Sequence, residues 1–172
     1  MNILVIGGSA SGKSEYAERA AVSLGKPLLY LATMRPWDAE CLARIEKHRR
    51  ARAGRGFSTV ECYGDLRGLT LPARGTVLLE CLGNLAANVL FGGTPPRDPA
   101  AAMLAGVEHV AAQSENLVVV TNAVFSDGVP CERDTLRYLT SLGAVNAALG
   151  RRFDAVTEVV CGIPLAQKGV LL

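Results

Sequence analysis

Apolar residues in this chain fall into two kinds of stretch that alternate from one end to the other. Continuous short runs (Ile3 to Ile6, Leu28 to Ala32, Val77 to Leu79 and Leu117 to Val120) read as strands, Phe57 to Cys62 alternates as a strand does, and Val156 to Cys161 is a last strand. Between them, apolar positions recur every three or four residues. Tyr16, Ala17, Ala20, Ala21 and Leu24 share one face of a helix over 14–24, and Leu82, Leu85, Ala86, Val89 and Leu90 form a second stripe. Met103, Leu104, Val107, Val110 and Ala111 line a helix from Pro99 to Gln113. Leu136, Leu139, Leu142, Val145 and Leu149 line a long one from about Glu132 to Arg152. A charged helix from about Asp38 to Arg52 has Leu42 and Ile45 as its expected inner edge. Gly92-Gly93-Thr94-Pro95-Pro96 breaks one helix, and Gly162-Ile163-Pro164 is expected to turn the tail.

Strand and helix in alternation imply a three-layer α/β/α arrangement, a mostly parallel sheet with helices on both faces. The chain has 172 residues and no repeat, linker or low-complexity segment, so one domain over 1–172 is expected. Its 49% hydrophobic and 20% charged residues are those of a globular protein. A net charge of +2 excludes binding to nucleic acid by bulk charge. No run approaches the roughly 20 apolar residues of a membrane span, and the short first run lacks the charged leader of a secretory signal. The five cysteines are odd in number, widely spaced and free of any Cys-x-x-Cys pair. They are expected to be small buried residues of a cytoplasmic protein.

The first strand runs directly into Gly7-Gly8-Ser9-Ala10-Ser11-Gly12-Lys13-Ser14, a full match to the P-loop pattern G-x-x-x-x-G-K-[ST]. Glycines let the backbone fold tightly enough for its N–H groups to surround phosphate oxygens, and the helix that follows aims its positive end at the same charge. Lys13 should reach the outer phosphates, and the Ser14 hydroxyl should ligate Mg²⁺. Such a site uses a second acid at the end of a buried strand, and Glu80 after Val77-Leu78-Leu79 supplies one.

Of the two histidines, His109 falls on the polar side of its helix and reads as a surface residue. His48 lies in Arg44-Ile45-Glu46-Lys47-His48-Arg49-Arg50-Ala51-Arg52, with Arg44 and Arg52 one helical turn to either side on its own face. Cations so placed would steady phosphates and a departing pyrophosphate, and histidine is an accepted nucleophile. Local sequence leaves two other readings open: a solvated basic face, and nucleic-acid contact by Arg44, Lys47, Arg49, Arg50, Arg52 and Arg55. The second lacks interleaved aromatics.

Taken in order, these motifs resemble the bifunctional adenosylcobinamide kinase / adenosylcobinamide-phosphate guanylyltransferase family of cobalamin synthesis. The resemblance runs over nearly the whole chain. It starts at Ile3 to Ser14 and Tyr30-Leu31-Ala32-Thr33, and continues through Asp38-Ala39-Glu40 and Arg44-Ile45-Glu46-Lys47-His48-Arg49. Thr59-Val60-Glu61, Leu78-Leu79-Glu80-Cys81, Val129-Pro130 and Gly162-Ile163-Pro164 complete it.

The resemblance implies a RecA-like P-loop NTPase fold, a homo-oligomer with trimers favoured, and ATP, GTP and Mg²⁺ as cofactors. It implies that an NTP phosphorylates the aminopropanol hydroxyl of adenosylcobinamide. It also implies that GMP passes from GTP to His48 and on to adenosylcobinamide phosphate, giving adenosylcobinamide-GDP. Thr33, Met34, Arg49, Arg50, Ala51, Arg52, Glu61 and Glu80 match positions that contact the guanine nucleotide. Three departures stand out. The family's Asn-Glu-Val-Gly stretch is replaced by Thr121-Asn122-Ala123-Val124-Phe125, so the acid is lost to Ala123 and the kinase half is expected to be weaker. Lys47 stands where some relatives have a second histidine, and the loop from Gly64 to Gly75 is short. The competing readings are a plain P-loop small-molecule kinase and a non-catalytic nucleotide-binding module, neither of which needs the His48 helix.

Overall fold

A computed structural model describes residues 1–123 and 132–172. The motif residues Val124, Phe125, Val129 and Pro130, and Cys131, lie outside the described residues. In chain order the elements are β1 (Asn2–Gly7), α1 (Lys13–Ser23), β2 (Leu28–Ala32), α2 (Ala39–Arg52), β3 (Phe57–Glu61), a 3-10 turn (Leu66–Gly68), β4 (Thr76–Glu80), α3 (Leu82–Phe91), α4 (Pro99–Gln113), β5 (Asn116–Asn122), α5 (Arg133–Arg152), β6 (Ala155–Val160) and β7 (Ile163–Lys168).

The strands form one sheet in the order β3-β2-β4-β5-β1-β6-β7. All neighbours are parallel except β6 and β7. Strands buried on both faces need apolar residues at every position, which is why β1, β4 and β5 read as continuous runs. Leu4, Val77, Leu79, Leu117 and Val119 face one way and pack with the stripes of α3, α4 and α5. Ile3, Val5, Leu78, Val118 and Val120 face the other and pack under Tyr16, Ala17, Ala20 and Ala21 of α1. The α/β/α architecture is as the pattern predicts.

Several local expectations fail, each for a visible reason. Cys161 and Gly162, at φ 50° and 80°, turn the tail, and Ile163-Pro164 already belong to the returning strand β7, antiparallel to β6. Its mixed sequence at a sheet edge, exposed at all but Pro164, carries no strand signal. Leu42 is exposed and Ile45 only half-buried, so neither forms an inner edge for α2; the one buried residue of that helix is Arg52. Leu136 is exposed because α5 overhangs the core by its first turns. His109 is half-buried rather than solvated, with its Nε2 2.8 Å from the Leu69 carbonyl. Among the described cysteines only Cys81 is buried; Cys41 and Cys62 are intermediate and Cys161 is exposed.

Candidate active site

β1 is an inner strand, so the loop leaving its C-terminal end opens at the middle of the sheet. The loop is tight. Ala10 and Gly12 take left-handed conformations at φ 56° and 90°, and Gly7 has no room for a side chain. A Cβ there would stand 2.6 Å from the Val159 carbonyl and 2.5 Å from Ser11 Oγ. Gly12 caps α1 without any side-chain hydrogen bond, leaving the first N–H groups of the helix free to meet an anion. Ser11 Oγ is buried and finds no partner among the described residues, which suits a loop built around a phosphate. Lys13 Nζ donates to the Gly8 carbonyl at 2.9 Å, so its charge stays over the loop, and burial pulls its pKa down.

Glu80 closes β4 and is 8% exposed. The Ser14 hydroxyl donates to its Oε1, and the Tyr30 hydroxyl donates to Oε2 at 3.2 Å. Burial, with the Glu80 charge beside it, pushes the Tyr30 hydroxyl pKa far up, so it remains a donor. A hydroxyl beside a carboxylate is a hard-oxygen pair of the kind Mg²⁺ takes when phosphates complete its coordination, so Ser14 and Glu80 fit that ion.

His48 brings α2 into the same place. Its Nδ1 lies 3.6 Å from Glu80 Oε1, with 29% of the side chain exposed. One turn on, the Arg52 guanidinium stacks on the Tyr30 ring at 3.3 Å from the centroid, 8% exposed. Its Nη1 is buried without a partner among the described residues. His48, Arg52, Glu80, Ser14 and Lys13 therefore converge on the mouth of the loop.

Other matched positions lie apart. Arg49 and Ala51 are exposed, and Arg50 pairs with Glu46 at 2.9 Å on the outer face of α2. Glu61 is exposed at the end of β3, bonded to the Tyr63 hydroxyl at 2.7 Å and two strand spacings from Glu80, about 10 Å. The Thr33 side chain is fully buried and donates to the Cys81 carbonyl at 2.9 Å, so it braces the strand ends. Met34 is half-buried beside it.

Sequence reasoning gives no role at this site to three residues that the fold brings to it. Tyr30 hides in an apolar run. Glu18 is 2% exposed on α1, and its Oε2 pairs with Arg55 at 3.0 Å. Ligand atoms of Glu18, His48 and Glu80 lie within 4.8 Å of one another. The available signal for Glu18 is an acid next to the buried stripe of Ala17 and Ala21; Arg55 is one basic residue among several and carries none.

Sheet order, loop and carboxylate together define a P-loop nucleotide-binding enzyme of the α/β class. A family model described as cobinamide kinase / cobinamide phosphate guanyltransferase (CobU) matches residues 3–167. The chain is 35% identical to the bifunctional adenosylcobalamin biosynthesis protein CobU of Salmonella typhimurium, over 98% of this chain and all of the relative. It is 34% identical to CobU of Escherichia coli with the same coverage, and 32% identical to the bifunctional protein CobP of Pseudomonas aeruginosa over 98% of each. The chain belongs to the cobinamide kinase / cobinamide phosphate guanyltransferase family. No helix among the described residues is long and apolar enough to cross a membrane.

Proposed function

We propose that this chain guanylylates His48 from GTP and passes the GMP to adenosylcobinamide phosphate, all of 1–172 acting as one nucleotide-binding domain. The observation that carries this reading is the approach of His48 to Glu80, which itself holds Ser14 of the P-loop. With the Nδ1 edge turned to a carboxylate, that nitrogen carries the proton, and Nε2 keeps the lone pair.

Nε2 attacks the α-phosphorus of GTP; an N–P bond forms as the bond to the bridging oxygen of the β-phosphate breaks, and pyrophosphate leaves. Positive charge on the phosphorylated ring is balanced by Glu80. Lys13 and the N–H groups of residues 8–14 hold the departing phosphates, and Arg52 offers on the same side an N–H without a partner among the described residues. Mg²⁺, held by Ser14 and Glu80, would neutralise charge on the triphosphate. In the second half a phosphate oxygen of adenosylcobinamide phosphate attacks the same phosphorus. The N–P bond breaks, His48 is restored, and adenosylcobinamide-GDP departs.

The kinase half uses the same loop to transfer a γ-phosphoryl group from ATP or GTP to the hydroxyl of adenosylcobinamide. It is the weaker half by resemblance: Ala123, where the family's Asn-Glu-Val-Gly stretch would place an acid, sits beside the loop with its N–H bonded to the Gly7 carbonyl at 3.1 Å. The protein acts in the cytoplasm as a homo-oligomer, a trimer by resemblance. Apolar Ile163 and Leu165, exposed on β7, agree with burial against another copy.

A chase experiment tests the cycle. Protein labelled from GTP carrying ³²P at the α-position, freed of nucleotide, should give all its label to added adenosylcobinamide phosphate. Label that stays on the protein would contradict the cycle.

A further inference from the structure

α2 is an unusual element of this fold, because nothing apolar seats it. Of its 14 residues only Arg52 is buried, so burial of apolar surface, the force that docks the other helices, is missing here. Polar contacts must hold it, and they gather at its C-terminal half. His48 meets Glu80 and Arg52 meets Tyr30, while Tyr30 and Glu80 are themselves hydrogen-bonded. Just past the helix, the left-handed Gly54 turns the chain, and the Arg55 N–H bonds back to the Arg52 carbonyl at 3.0 Å. The turn brings Arg55 to Glu18 of α1, whose carboxylate shares the cleft with His48 and Glu80.

A carboxylate as deeply buried as Glu18 is a poor device for stability, because desolvation offsets most of what an ion pair gains. Such pairs are better suited to fixing register. We propose that Glu18 and Arg55 are a positioning pair that clasps the end of α2 to α1 and so holds His48 beside Glu80. Neither is bonded to the attacking nitrogen, although a Glu18 carboxylate oxygen lies within 4.8 Å of ligand atoms of His48 and Glu80. The catalytic consequence rests on His48 being the nucleophile; the clasp itself does not.

The test uses the full chain with Glu18→Gln, Arg55→Ala and Arg55→Lys. Arg55 is about one-third exposed, so its variants fold even if Glu18→Gln does not. Two quantities are read: the rate of tryptic cleavage within 47–52 of native protein, and single-turnover labelling of His48 from α-labelled GTP across GTP concentrations. Glu18→Gln and Arg55→Ala should be cleaved about tenfold faster. Their maximal labelling rate should fall ten- to a hundredfold, as expected of a displaced nucleophile, with half-saturating GTP within twofold of wild type. Arg55→Lys should keep most of both properties.

Unchanged cleavage, or faster cleavage with undiminished labelling, would overturn the proposal. So would a loss confined to GTP affinity. Wild type that takes no label, while the variants are still cleaved faster, would support the clasp and remove the nucleophile assignment instead.

Discussion

Glu80 Oε1 lies 3.6 Å from His48 Nδ1 while the same carboxylate accepts from Ser14, so one acid joins the P-loop to a helix that begins 25 residues after it in sequence. That junction explains how a fold built to grip outer phosphates can also present a nucleophile. It makes Glu80 the residue whose loss should affect both halves of the reaction.

Replacing Glu80 by Gln keeps the shape and removes the charge. Labelling of His48 from GTP should drop about 10²- to 10³-fold, the cost seen when one charge-stabilising group is lost. The Mg²⁺ concentration needed for half-maximal rate should rise. Rates measured over a Mg²⁺ series decide this; an unaltered profile would remove Glu80 from the site.

Gly7→Ala should unfold more readily, because its Cβ would stand 2.6 Å from a backbone carbonyl that cannot swing away. Overpacking of this kind costs about 1–3 kcal/mol. Denaturant midpoints should fall accordingly with the slope unchanged, and nucleotide affinity should fall with them.

Ala123→Glu restores a carboxylate next to Gly7. Phosphorylation of adenosylcobinamide should increase about 10²-fold, the low side of general acid–base contributions, with guanylyl transfer little altered. A steady-state kinase assay on the two proteins checks it, and equal rates would mean that the missing acid is not what limits the kinase.

Burial pushes the Glu18 carboxyl from an ordinary 4.5 up to about 7, with Arg55 pulling the other way. A carboxyl whose folded value is raised binds its proton more tightly in the folded state, so its contribution to stability is full below about pH 4.5 and is lost as pH rises through 7. Glu18→Gln should lack that decline. Urea midpoints of both proteins between pH 4.5 and 8 measure the difference, and parallel curves would contradict it.

Much of this molecule is legible in its sequence because buried parallel strands need unbroken apolar runs, and Leu4, Leu78 and Val119 could serve nowhere else. The P-loop is legible because its glycines and Lys13 answer to one ligand chemistry. The setting of α2 is not: its contacts are between charges and an aromatic ring, and they carry no periodicity. Leu42 therefore suggests an inner face that the helix does not have, while Arg52, read as a cation for the nucleotide, is the residue that goes inside. The pairing of Glu18 with Arg55 escapes notice for the same reason, since an ion pair spanning 37 positions leaves no local pattern. The return of the tail as β7 is hidden because an exposed edge strand asks little of its side chains.

The most direct test of the central claim is the site of attachment of GMP. Wild-type protein and His48→Asn are incubated with α-labelled GTP and Mg²⁺, denatured, digested and sequenced by mass spectrometry, with GTP affinity measured alongside. Label on the peptide holding His48, stable to alkali and lost in acid, with none on His48→Asn and affinity for GTP retained, is the predicted result. Label on His48→Asn at a near-normal rate, or none on wild type that binds GTP, would contradict it.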